Sequence, residues 1–333
     1  MSAARKSFHL IKLFKLLPVA LSAVLVLPLQ AQQGEGVPTQ ALVAVDSKSA
    51  VVPTPANTTV KVENKSTPVI SLTRVLPTGS QVALLIDDGL RTSVGRELSS
   101  MRDFILSLPR GTEVFVGYMQ NGRVVGAQNF TTDLAGAAKG LRIPTGMPGS
   151  SASPYFCLSD FVKNWPGEER ETAQPEGQLA PTQAPGHKAR FVMMITNGVD
   201  LYNGSTSPMN QNSPYVDSAI VDAQRAGVPV YSIYFSDAGI RGGMASFSGQ
   251  SYLQQVADGT GGRAYYSGTG NPVSMVPFLK QFQKAIADTY VATFDAPGDK
   301  KLVRVKLNTN VHGAKLRSAD QVKPGARLSA TGS

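Results

Sequence analysis

Residues 82–93 read VALLIDDGLRTS. Five apolar residues, Val82 to Ile86, run without a polar break into Asp87 and Asp88. A strand with one face in water alternates apolar and polar residues. An unbroken apolar run is instead the pattern of a parallel strand covered on both faces. FVMMITNG (191–198) and VPVYSIYF (228–235) repeat that pattern, and TEVFVGYM (112–119) adds a further strand. Between them lie stretches with helical spacing. Val94, Leu98, Met101, Ile105 and Leu108 follow the first strand and stop at Pro109-Arg110-Gly111. SPYVDSAIVDAQRAG (213–227) is a helix ending at Gly227. GRVVGAQNF (122–130) follows the hairpin signal Gln120-Asn121-Gly122. Alternation of this kind over residues 79–290 predicts an α/β fold with a doubly wound, mostly parallel sheet. Such a fold binds its ligands at the carboxyl ends of the strands.

The flanks differ. Arg5, Lys6, Lys12 and Lys15 precede the apolar run LLPVALSAVLVLPLQA (16–31), the pattern of a signal peptide cleaved after Ala31. Residues 32–57, rich in Gln, Pro, Thr and Ala, read as a flexible linker. Residues 58–78 hold two short strands. Within the main domain, residues 166–188 are polar, proline-rich and aperiodic, as an exposed insertion loop would be. Residues 291–333 form a β extension, with YVATFDAPGDKKLVRVKLN (290–308) as a β-hairpin bending at Pro297-Gly298-Asp299.

The 333 residues are 42% apolar, enough for a substantial core. The net charge of +9 falls to +5 without the leader (9 − 4). No basic run is interleaved with aromatics, so nucleic acid is not an expected partner. One cysteine, Cys157, excludes an internal disulfide. Trp165 reads as a packing anchor and Tyr265-Tyr266 as alternating core and surface positions.

The ordered series resembles the von Willebrand factor type A (vWA) domain. It comprises the strand ending at Asp87, LPRGTEVFVGYM (108–119), an antiparallel strand, the GSSAS loop (149–153), FVMMITNG, AGVPVYSIYF (226–235) and VADGTGGRAYY (256–266). The tail (289–325) is similar to that of exported vWA-related proteins of acidobacteria. The resemblance implies a Mg²⁺ site built from Asp-x-Ser-x-Ser, a Thr from a second loop and a later Asp. Asp87 matches the first Asp, whereas Gly89 and Arg91 stand where the two serines belong. Ser151 (or Ser150) falls near the Thr, and Asn197 replaces the last Asp. The site is therefore expected to be degenerate and metal-independent, with no cofactor. If Mg²⁺ binds at all, Asp87, Ser151 and Asp88 are its expected ligands. Asp88 and Asp200 are the available substitutes, Asp88 otherwise being a solvated loop carboxylate. The Arg91 guanidinium, which cannot lose its proton, is expected to turn toward Asp87 and stand in for the cation.

The expected function is an exported bacterial protein–protein interaction module of adhesion or scaffold type, periplasmic or extracellular. It would bind through Asp87, Asp88, Arg91, Ser151, Asn197 and Asp200, with the glycine-rich loop 239–251 on the same face. Membrane contact is expected only through an uncleaved leader. The alternative is a structural subunit of a cell-envelope complex. A hydrolase is the weakest reading, because His9, His187 and His312 sit in no catalytic motif, and neither His-Glu-x-x-His nor Gly-x-Ser-x-Gly occurs.

Overall fold

A computed structural model describes residues 36–168, 186–203, 212–236, 243–268 and 270–330. The leader (1–31), residues 169–185 of the insertion and residues 239–242 of the glycine-rich loop lie outside the described residues. In chain order the strands and helices are β1 (Gly36–Ser47), β2 (Thr58–Val62), β3 (Lys65–Thr67), β4 (Ser71–Arg74), β5 (Ser80–Asp87), α1 (Leu98–Ser107), β6 (Glu113–Gln120), β7 (Arg123–Thr131), α2 (Leu134–Lys139) and α3 (Pro154–Lys163). There follow β8 (Ala189–Thr196), α4 (Pro214–Arg225), β9 (Val230–Tyr234), α5 (Gly243–Thr260), β10 (Ala264–Tyr265), α6 (Val276–Ala287), β11 (Thr289–Pro297), β12 (Val303–Thr309), β13 (Ala314–Arg317) and β14 (Gln321–Val322).

The central sheet has the order β10-β9-β8-β5-β6-β7, parallel except for β7. Strand β5 explains the unbroken apolar run. Val82, Leu84 and Ile86 enter one core with α1, α2 and α6, while Ala83 and Leu85 enter a second core with α3, α4 and α5. β8 divides in the same way, with Phe191, Met193 and Ile195 on one side and Val192 and Met194 on the other. Both faces are covered, so neither strand has a polar position to spare. The two helices α3 and α4 both open on Ser-Pro-Tyr. Ser153 accepts from the Tyr155 N–H, Ser213 accepts from Tyr215 and Val216, and the proline occupies the first turn, where its missing donor costs nothing.

The flanking segments form a β-sandwich of two four-stranded sheets, β13-β1-β11-β4 and β14-β12-β2-β3. Two expectations are corrected here. Residues 36–47, inside the expected linker, are a twelve-residue strand between β11 and β13. Its ALVAV stretch (41–45) is buried throughout because β1 lies in a middle layer. Ala41 and Val43 face the sandwich core, and Leu42 faces the α/β core. The tail, too, is not a hairpin. β11 pairs with β1 and β4, whereas β12 pairs with β2 and β14. The Pro297-Gly298-Asp299 bend carries the chain from one sheet to the other, so the two strands meet through side chains across the core. Residues 324–330 then close the seam between the two halves. Gln40 N donates to Ala326 O, Ser329 N to His187 O and Leu76 N to Ala330 O. Among the described residues no helix is long and apolar enough to cross a membrane.

Candidate functional site

The chain order in the central sheet reverses between β5 and β8, which in a doubly wound sheet marks a crevice beyond the carboxyl ends of the strands. Asp87 ends β5 and Thr196 ends β8, so this crevice holds the sequence-predicted residues. Asp87 is only 2% exposed. Its Oδ1 accepts the Gly89 N–H at 3.0 Å, and its Oδ2 accepts the Ser151 hydroxyl at 3.2 Å and the Thr196 hydroxyl at 2.8 Å. The carboxylate therefore ties the ends of two strands to the loop before α3. Thr196 was not among the sequence candidates. Its hydroxyl is the one polar group closing the apolar run of β8, and that was the available signal.

The other candidates are also turned inward. Asn197 Oδ1 accepts the Val199 N–H at 2.8 Å. Asp200, 0% exposed, accepts the Ser213 hydroxyl at 2.7 Å and the Tyr202 N–H at 3.2 Å, and so holds the α4 cap. Asp88 corrects the solvated reading. It is buried, with Arg142 Nη1 at 2.6 Å, Gln120 Nε2 at 2.6 Å and Thr145 N at 3.0 Å. Burial alone would push its carboxyl pKa up, but the Arg142, Thr145 and Gln120 hydrogen bonds outweigh it and leave the group below its ordinary value. The Arg142 guanidinium in turn lies 3.8 Å from the centre of the Tyr118 ring. Arg91 is the exposed member of the predicted set, and its N–H donates to Ser236 O.

Close backbone packing supports this crevice. A Cβ on Gly249 of α5 would lie 2.1 Å from the Asn197 carbonyl oxygen, and one on Gly198 would lie 2.5 Å from the Gly249 oxygen. Gly198 has φ +68°, a conformation that favours glycine. The helix therefore begins within the expected 239–251 loop, at Gly243, and seats against the turn after β8. Gly89 is close-packed as well: a Cβ there would meet Met147 O at 3.0 Å and Ser150 N at 3.3 Å.

The residues fit a hard divalent cation only in part: Asp87 Oδ2, Ser151 Oγ and Thr196 Oγ1 converge, but Gly89, Arg91 and Asn197 supply no carboxylate or hydroxyl to complete the oxygen shell. The oxygens of Asp87, Asn197 and Asp200 accept hydrogen bonds from backbone and hydroxyl donors. A serine at position 89 would bring its Cβ to 3.0 Å from the Met147 carbonyl oxygen, which would have to give by a few tenths of an ångström. Besides Arg91, the site presents large apolar side chains to solvent. Met147 is 67% and Tyr202 62% exposed. They belong to touching segments, since a Cβ on Gly149 would meet Leu201 Cδ1 at 2.8 Å, and the Tyr202 ring lies 5.1 Å from that of Phe156.

No family model matches the chain, and no curated protein does. Solved structures do resemble it. An aerotolerance-related membrane protein from Bacteroides fragilis aligns at 12% identity over 62% of this chain and 98% of its own, with a TM-score of 0.37. The SpRpn10 VWA domain aligns at 7% identity over 61% and 94%, with a TM-score of 0.38. The human COPII-coat protein Sec24c aligns at 8% identity over 76% of this chain and 44% of its own, with a TM-score of 0.36. Likeness of this depth says nothing about activity, and the architecture rests on the strand order and registers above.

Proposed function

We propose that the chain is an exported, vWA-type protein-binding module that docks its partner on the crevice beyond β5 and β8, without a divalent cation. One observation carries the reading: the polar candidates are taken up by hydrogen bonds within the strand-end loops, which leaves Met147 and Tyr202 exposed above a hydrogen-bonded floor. Methionine and aromatic residues are enriched at protein interfaces, and single large apolar side chains ringed by polar groups suit a hot spot. Arg91, exposed on the same rim, supplies a charge for steering and register.

Photo-crosslinking residues placed at Met147 and at Tyr202 test this directly. Both should capture the same protein in cells, and one placed at Lys300 of the sandwich should not. Equal capture from all three positions would move the docking surface elsewhere. Export is tested by sequencing the N-terminus of the protein recovered from outside the cytoplasm. A start at Gln32 agrees with cleavage after Ala31, and a start at Met1 removes that part of the proposal.

A further inference from the structure

We infer that the outward face of the β14-β12-β2-β3 sheet is an adsorption surface for anionic lipid bilayers. β12 alternates strictly: Val303, Val305 and Leu307 are buried, while Arg304, Lys306 and Asn308 are exposed. β2 does the same, with Thr59 and Lys61 outward. The antiparallel register sets Lys306 directly opposite Lys61, and Arg304 lies two residues along from Lys306. Like charges directly opposite each other on one sheet face are destabilising. Folding alone therefore gives no reason for this pair.

No acid forms an ion pair with this pair among the described residues. The nearby carboxylate, Glu63, pairs with Lys300 at 3.3 Å, accepts the Arg304 N–H at 2.9 Å and also feels the Arg304 charge. The side chains of Lys61, Arg304 and Lys306 take part in no ion pair among the described residues. Ser66 on β3 stands opposite Lys61 and continues the outward row, so Lys61, Lys306 and Arg304 are the charges of this face. The charges are therefore spread in two dimensions, at about 5 Å across strands and about 7 Å along them.

The chemistry of the face selects the partner. Between the cations stand Thr59, Ser66 and Asn308, and none of the outward positions on β2, β3 and β12 carries a large apolar side chain. Protein interfaces are depleted in lysine and centred on apolar or aromatic anchors. Single-stranded nucleic acid needs stacking platforms. An anionic bilayer needs only a broad cationic surface, each lysine near it strengthening binding by a factor of about five.

The experiment is a vesicle titration of the full chain, with phosphatidylcholine alone and with added phosphatidylglycerol. The wild type should prefer the anionic vesicles, and the preference should weaken as salt is raised. The double change Lys61→Gln and Lys306→Gln should cost roughly thirty-fold on anionic vesicles and nothing on neutral ones. Removing the same charge at exposed positions outside the face, with Lys139→Gln and Lys280→Gln, should change binding by less than about threefold. Equal losses from the two pairs, or no preference for anionic lipid, would overturn the proposal. So would binding to polyglutamate that the face variant loses while its vesicle binding stays intact, since that would assign the face to an acidic protein. All four lysines are exposed, so unchanged melting of both variants checks that they remain folded.

Discussion

Two regions of this molecule treat charge in opposite ways. At the crevice, Asp87, Asp88 and Asp200 are buried, and each accepts donors supplied by segments distant in sequence. On the outer sandwich sheet, Lys61 and Lys306 stand side by side and take part in no ion pair among the described residues. The difference is one of solvent. A buried carboxylate without partners would cost several kcal/mol, so the fold saturates it. An exposed lysine pair costs a few tenths, so the fold tolerates it and leaves it available. Buried polar residues at a strand-end crevice thus report on architecture, while the exposed residues around them report on contact.

The sharpest way to break this comparison is at the packing that holds the crevice. Gly249→Ala puts a methyl group 2.1 Å from the Asn197 carbonyl, with only backbone to yield. It should cost about 3 kcal/mol or more, read by urea unfolding. A neutral result would mean that α5 does not seat on that turn.

Next in size is the Asp88–Arg142 pair. Asp88→Asn should cost about 2 kcal/mol, discounted from a fully buried pair because Arg142 is partly exposed. The folded-state pKa of Asp88 is lowered, so its stabilisation is present above the ordinary carboxylate range and lost as pH falls through the folded value. The wild type should therefore lose stability below about pH 4 more steeply than Asp88→Asn. Parallel pH profiles for the two would remove Asp88 from the account.

A smaller effect is expected from metal. An ion held at one hundred times its Kd would add about 2.7 kcal/mol, or roughly 5–10 °C in Tm at the 2–4 °C per kcal/mol typical of a domain this large. Millimolar Mg²⁺ or EDTA should instead leave Tm within about 1 °C. The triple change Gly89→Ser, Arg91→Ser and Asn197→Asp should create a Mg²⁺ response only in so far as the Met147 carbonyl gives way, since it lies 3.0 Å from the new Cβ. A micromolar Mg²⁺ isotherm on the wild type, lost in Asp87→Ala, would sink the metal-free reading.

The smallest expected effect concerns steering. Arg91→Glu should slow partner association by severalfold, and Lys300→Glu should not. Equal effects would shift attention from the crevice to the sandwich.

Much of the α/β half was legible because its signal is local. Short continuous apolar runs rich in β-formers, as in β5 and β8, are the pattern of strands covered on both faces, and the Ser-Pro caps mark where α3 and α4 begin. The position of Asp87 at a strand end followed from the same run. What the sequence could not decide is which distant groups meet. ALVAV in β1 carried a strand signal, but its surroundings of Pro, Thr and Gln matched a linker, and only docking between two cores makes five successive residues buried. Asp88 looked like a loop carboxylate because Arg142 is 54 positions away. The two strands around Pro297-Gly298-Asp299 looked like a hairpin because a turn motif specifies a reversal of direction, not the partner on which each strand pairs. Local periodicity therefore determined the elements and the crevice. Long-range burial decided which of its polar residues are structural, and left Met147 and Tyr202, unmarked in the sequence, exposed as the proposed docking surface.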